Sequence, residues 1–145
     1  MTIHHLIVSL HVLAAIFLLG PLVFAISATP RAIRSGGAAT LGFLATTTRV
    51  YAYGSVLVLV LGAGAVQKKY GASFGQTWIW ASIVMFVIAL GLITGVVLPT
   101  QKKALRLLTD GESATDTLPA IGAGAGIASV LFAATVFLMI YQPGR

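Results

Sequence analysis

Four long apolar runs divide the chain, and its polar and charged residues collect between them. The runs cover residues 6–27, 50–66, 78–98 and 118–141. A helix needs about 20 residues to cross a hydrocarbon core of about 30 Å, so three runs suffice alone and the shorter second run must borrow flanking turns. The runs are continuous rather than alternating, unlike the strands of a membrane β-barrel. The pattern predicts an all-α fold, a polytopic membrane four-helix bundle, with residues 1–145 forming a single transmembrane domain.

Composition strengthens this prediction and excludes several kinds of site. The 145 residues are 58% hydrophobic and 8% charged, whereas about a quarter of residues are charged in soluble domains. The chain has no cysteine, which excludes disulfides, thiolate metal sites and a cysteine nucleophile. No Lys or Arg precedes the first run, and that run is longer than the apolar core of a signal peptide. We therefore expect it to be a retained span.

The basic residues predict an orientation in the cell membrane. The connections 28–49 and 99–117 carry six of the nine Lys and Arg residues, and the connection 67–77 and the C-terminus carry the other three. Because basic loops stay in the cytoplasm, we expect loops 28–49 and 99–117 to be cytoplasmic, with loop 67–77 and both termini outside. Pro99 is expected to end or bend the third helix. The net charge of +6 is thereby explained without nucleic acid as a partner, and the lipid bilayer is the expected environment.

His11 is the sharpest chemical feature, because it is an ionisable residue inside an apolar run. Such residues are costly in a membrane and mark candidate functional positions. One interpretation is structural: a neutral imidazole forms a polar cluster with Ser82 and Thr135, which lie at a similar depth. Another is axial ligation of a b-type haem, with either Met85 or no residue as the second ligand. A third is a copper site formed by His4, His5 and His11.

Two pairs of small residues indicate where helices approach one another. Gly91 and Gly95 lie in the third run, and Gly122 and Gly126 lie in the fourth. This four-residue spacing lets membrane helices approach closely. We expect the pairs either to pack within the protein or to form an interface with a membrane-protein partner or a second copy.

Catalytic templates are absent from the sequence. The three acidic residues lie together in one polar stretch, at Asp110, Glu112 and Asp116, and none lies in an apolar run. The chain has no His-Glu-x-x-His motif, no Ser-x-x-Lys pair and no phosphate-binding loop. A proton relay would also need further titratable groups along the spans. We therefore expect a structural or accessory subunit without enzymatic activity; the alternatives are a haem- or copper-binding protein using His11, or a membrane oxidase or small transporter.

The first run also carries a family resemblance. Its segments Leu10-His11-Val-Leu-Ala-Ala15 and Gly20-Pro-Leu-Val-Phe24, followed by Pro30-Arg31, resemble small bacterial four-span membrane proteins of the DUF2269 type. The chain is more distantly similar to copper-resistance D-like and to protoporphyrinogen-oxidase HemJ-like membrane proteins. The HemJ-like resemblance implies haem binding and porphyrinogen oxidation, and the copper-resistance resemblance implies copper handling. In each case His11 is the one residue carried over.

Overall fold

The structure of the protein, a computed structural model, describes residues 3–66 and 76–141, and it is helical throughout its regular elements. Four helices are long and apolar enough to cross a membrane: α1 (Ile3–Ser35), α2 (Ala38–Ala65), α3 (Thr77–Thr109) and α4 (Thr115–Tyr141). The prediction of an all-α membrane protein with four spanning helices is confirmed.

The helices extend well beyond the apolar runs, so the prediction of long connecting loops at 28–49 and 99–117 was wrong. α1 and α2 are joined only by Gly36 and Gly37, and Gly36 adopts a left-handed conformation (φ 70°) that suits a residue without a side chain. Residues 38–49 are helical because their buried positions recur with helical spacing, at Leu41, Leu44, Ala45 and Thr48. Hydropathy alone misses such a segment, since four threonines and Arg49 interrupt its apolar residues.

Pro99 does not end α3, which continues to Thr109. The segment directly before it, Ile93–Val97, is a π-helical turn, and the π-helical turn Ala15–Leu19 precedes Pro21 in the same way in α1. A proline inside a helix removes one backbone N–H, and its ring crowds the carbonyl four residues earlier. A π turn, with hydrogen bonds spanning five residues, makes room for that ring. Both helices therefore pass through their prolines.

All four helices contribute to the core. Side chains with no exposed surface include Leu22 and Ile26 of α1, Leu41 of α2, Ile93 of α3 and Ile121 of α4. The segment Ile3–Ala14 of α1, by contrast, has no buried residue. It packs mainly against the segment Val56–Ala65 of α2. We call these two segments the outer pair; apart from Val58, which is buried, none of their side chains is buried.

The glycines that support close helix packing are not the ones the sequence indicated. A Cβ atom added to Gly124 would lie 2.8 Å from Cγ2 of Val97, which places α4 against the π turn of α3. Within the described chain no atom lies within 4 Å of a Cβ built on any member of the predicted pairs, Gly91, Gly95, Gly122 and Gly126. The expectation that these pairs pack within the protein was therefore wrong, and their faces are open.

Candidate functional site

His11 lies in the outer pair, and its side chain is hydrogen-bonded to the backbone of α2. Its Nδ1 lies 2.9 Å from the backbone carbonyl oxygen of Val58. A carbonyl only accepts hydrogen bonds, so Nδ1 carries the proton and donates it. In the neutral ring, Nε2 then keeps its lone pair. Nε2 makes no hydrogen bond to any described residue, and it is not among the buried polar atoms without a partner.

Gly62 makes this contact sterically accessible. Val58 and Gly62 are one helical turn apart and therefore share a face of α2. A Cβ atom on Gly62 would lie 2.9 Å from Cε1 of His11 and 3.3 Å from its Nδ1. The imidazole thus packs directly over the backbone of α2, in a space that no other residue type at position 62 would leave.

The predicted polar cluster of His11, Ser82 and Thr135 is not joined by hydrogen bonds. The Ser82 hydroxyl donates to the carbonyl oxygen of Trp78 at 2.8 Å, and the Thr135 hydroxyl donates to that of Leu131 at 2.8 Å. Both hydroxyls are buried and bond within their own helices. The prediction placed the three residues at similar depth, but depth alone does not determine which helices are neighbours.

The structure separates the residues predicted for haem and copper. Met85 lies in the segment Thr77–Leu92, which packs mainly against α4, whereas His11 packs against α2. Among the residues that the structure describes, no three His, Asp or Glu side chains are grouped closely enough to hold a metal ion. His4 and His5 make an edge-on ring contact with a centroid distance of 5.9 Å, without His11 as a third ligand. The copper set is therefore not assembled, while His11 keeps a free Nε2 suited to a single ligand bond.

A second polar cluster, absent from the sequence predictions, joins three helices at the opposite end of α1. The side-chain amide nitrogen of Gln101 in α3 donates to the hydroxyl oxygens of Thr29 in α1, at 2.8 Å, and of Thr48 in α2, at 3.0 Å. All three residues are fully buried. We call these residues the Gln101 cluster. It connects positions 72 and 53 residues apart in the chain.

The hydroxyl bonds fix the orientation of the Gln101 amide. Thr29 donates its proton to the carbonyl oxygen of Ala25, and Thr48 donates to that of Leu44. Both hydroxyl oxygens can then only accept, so the NH2 group of Gln101 must face them. Its Oε1 is left buried without a hydrogen-bond partner. The sequence predictions did not include this cluster because Gln101 stands beside Lys102 and Lys103 in a stretch predicted to be a cytoplasmic loop. Its one signal was the series of hydroxyl residues in the predicted loops.

The two polar sites can hold helices together, and neither contains a pair of groups for acid–base or nucleophilic chemistry. His11 has no carboxylate or second base bonded to it, and the Gln101 cluster contains only neutral groups that do not titrate near neutral pH. A general base needs such a partner or a substrate proton within hydrogen-bonding reach. Both sites therefore have the properties of hydrogen-bonded contacts that stabilise helix packing.

Comparison with known proteins identifies the family. The family model described as "DUF2269: Predicted integral membrane protein" matches residues 5–143, nearly the whole chain. No curated protein and no solved structure matches the chain.

Proposed function

The chain belongs to the DUF2269 family of predicted integral membrane proteins, and from this premise we propose that it is a structural or accessory subunit of the cell membrane without enzymatic activity. The observation that carries the proposal is the use of His11. It is the only histidine or charged residue within the four apolar runs, and its Nδ1 joins α1 to the α2 backbone. An ionisable residue is expensive in the membrane, and here a helix-packing role accounts for it.

The uncovered outer pair supports a role within an assembly. Large apolar side chains project from its α1 segment at Leu10, Val12 and Leu13, which are 44%, 49% and 50% exposed. The open faces at Gly91 and Gly122 offer a second membrane helix the close approach that small residues allow. The partner is a membrane protein or a second copy of this chain.

The proposed orientation follows from the basic end of the bundle. Arg31 and Arg34 in α1, with Lys102, Lys103 and Arg106 in α3, are all exposed beyond the apolar runs. The preference of basic segments for the cytoplasmic side supports a cytoplasmic location for this end, with the 67–77 connection and both termini outside.

Native electrophoresis of gently solubilised membranes tests the assembly. We expect a species larger than the monomer of 15.0 kDa, and we expect Gly91→Leu or Gly122→Leu to convert it to monomer. These glycines face open space, so the bulkier side chains leave the monomer fold intact. Val130→Leu is the matched control, since Val130 is 68% exposed on α4. A wild-type protein that migrates only as a monomer would contradict the proposal.

Haem binding through His11 is a second candidate function, favoured by one observation. Histidines that bind metals commonly donate their other ring N–H to a carbonyl or carboxylate, which fixes the ring, and His11 donates Nδ1–H to Val58 while Nε2 stays free. Bound haem would contribute an iron centre for electron transfer or oxidation. His11 would hold the haem iron through Nε2, the ring nitrogen not bonded to Val58.

Absorption spectroscopy of protein expressed with ample haem distinguishes the two candidates. Haem ligation predicts a Soret band that His11→Ala abolishes. Met85→Leu serves as the comparison, because Met85 packs in a different helix pair and its loss should leave the band in place. A featureless wild-type spectrum would refute haem binding.

A further inference from the structure

A groove runs between α1 and α2 at the basic end of the bundle. Its volume is about 620 Å³, and it opens to the surface of the helix pair. The residues used below line it from both helices: Phe24, Ser27, Arg31 and Ser35 from α1, and Thr40 and Phe43 from α2.

One part of the groove is apolar and unusually open. Phe24 and Phe43 are 67% and 69% exposed, and Ala28, Ala32 and Leu44 complete the apolar lining between them. Phe24 lies within the first apolar run, at the depth of lipid chains. The groove therefore presents a surface that matches an acyl chain.

The other part is rich in hydrogen-bond donors. Ser27, Arg31 and Ser35 follow one another at intervals of four residues and so share a face of α1. The hydroxyls of Ser27 and Thr40 make no hydrogen bond to another described residue, and Ser35 donates to the carbonyl oxygen of Ala32. A guanidinium with nearby hydroxyls is a donor set suited to a phosphate group.

The apolar part and the donor-rich part of the groove are arranged in the same order as the acyl chain and the phosphate of a phospholipid. Arg31 is seven residues beyond Phe24, about 10 Å along the helix at 1.5 Å per residue, and in the direction that leads out of the apolar run. An acyl chain at Phe24 thus places its phosphate near Arg31. A peptide or soluble anion would use only one of the two parts.

The charge around the groove selects an anionic lipid. No acidic residue lines it, whereas a neighbouring depression is lined by both Arg34 and Glu112. Arg31 is therefore the cation of this groove, at an end of the bundle that carries most of the Lys and Arg residues. Basic pockets between membrane helices are known binding sites for anionic headgroups.

We propose that the α1–α2 groove is a binding site for one anionic phospholipid. The phosphate accepts hydrogen bonds from the Arg31 guanidinium and from the hydroxyls of Ser27 and Thr40, and an acyl chain lies along Phe24 and Phe43. The proposal does not depend on the accessory role proposed above.

Native mass spectrometry of protein purified from mixed micelles of phosphatidylglycerol and phosphatidylcholine tests the site. We expect wild-type protein to retain phosphatidylglycerol preferentially, and Arg31→Gln to reduce that retention about fivefold, the effect of one cation at a membrane surface. Arg34→Gln is the matched control: it removes one exposed charge from the same helix but outside the groove. We expect it to retain lipid as the wild type does. Phe43→Ala, at a highly exposed position, should weaken retention of both lipids.

Four results would overturn the proposal. Equal loss from Arg31→Gln and Arg34→Gln would indicate general surface attraction. Equal retention of the two lipids, or full displacement of phosphatidylglycerol by inorganic phosphate, would show that the groove does not recognise an anionic lipid as a whole. A disulfide-linked dimer of Phe43→Cys in phosphatidylcholine vesicles would place a second copy in the groove instead; wild-type protein has no cysteine to interfere.

Discussion

Replacing Gln101 by methionine should destabilise the protein less than removing either hydroxyl that it contacts. Gln101→Met keeps the length of an unbranched side chain and removes both amide groups. Thr29→Val and Thr48→Val each keep Gln101 but remove one acceptor of its NH2 group, which the structure places at 2.8 and 3.0 Å. The contrast arises because Oε1 already lacks a partner in the native protein.

The expected magnitudes follow from what each variant leaves unpaired. Gln101→Met loses two hydrogen bonds, worth about 0.6 kcal/mol each in a membrane protein, and gains by removing the buried, unpaired Oε1, which costs about 1–3 kcal/mol. Its net effect on the free energy of unfolding should therefore lie between about no change and a stabilisation of about 2 kcal/mol. Each valine variant instead leaves one buried N–H without an acceptor, a loss of about 1–3 kcal/mol.

Reversible unfolding in mixed micelles of dodecyl maltoside and sodium dodecyl sulfate, followed by circular dichroism, measures these differences. In the Gln101→Met background, Thr29→Val should lower the free energy of unfolding only slightly, because no amide N–H remains that could lose its acceptor. The resulting coupling energy of about 1–3 kcal/mol is the specific signature of the cluster. If Gln101→Met proves more destabilising than Thr29→Val or Thr48→Val, Oε1 has a partner in the folded protein and the reasoning fails.

Other predictions test the outer pair and the orientation. Gly62→Ala should lower the free energy of unfolding by about 1–3 kcal/mol, the usual effect of overpacking, because its Cβ would lie 2.9 Å from Cε1 of His11. Gly126→Ala is the control and should be neutral, because Gly126 faces open space. Equal thermal unfolding of the two variants would contradict this packing. A membrane-impermeant thiol reagent added outside intact cells should label Ser73→Cys and not Glu112→Cys, and the reverse pattern would invert the proposed topology.

Much of the fold could be predicted from the sequence because the bilayer imposes it. Backbone groups in lipid must be hydrogen-bonded internally, so each continuous apolar run had to be a helix. The same rule does not define where a helix ends outside the lipid, which is why residues 38–49 were predicted to form a loop. The π turn before Pro99 was equally hidden, since it depends on how the backbone adjusts around that proline.

The candidate sites show which contacts could not be predicted from the sequence. His11 was recognised from its position alone, but its partner is a backbone carbonyl, that of Val58, and carbonyls carry no residue identity. The same limit applied to Gly62 and Gly124, which are in close contact, and to Gly91 and Gly122, which are not, although all four belong to similar glycine-containing stretches.

By itself, the sequence determined that this protein lies in a lipid bilayer, how many spanning helices it has and which family it belongs to. These properties depend on the length, continuity and order of the apolar residues. Only the tertiary structure decided which faces meet. Lipid tails and helix interiors are both apolar, so hydrophobicity does not distinguish a buried face from a lipid-facing one. Small residues and polar bonds select the contacts instead, as at Gly62 beneath His11 and at Gln101 between Thr29 and Thr48.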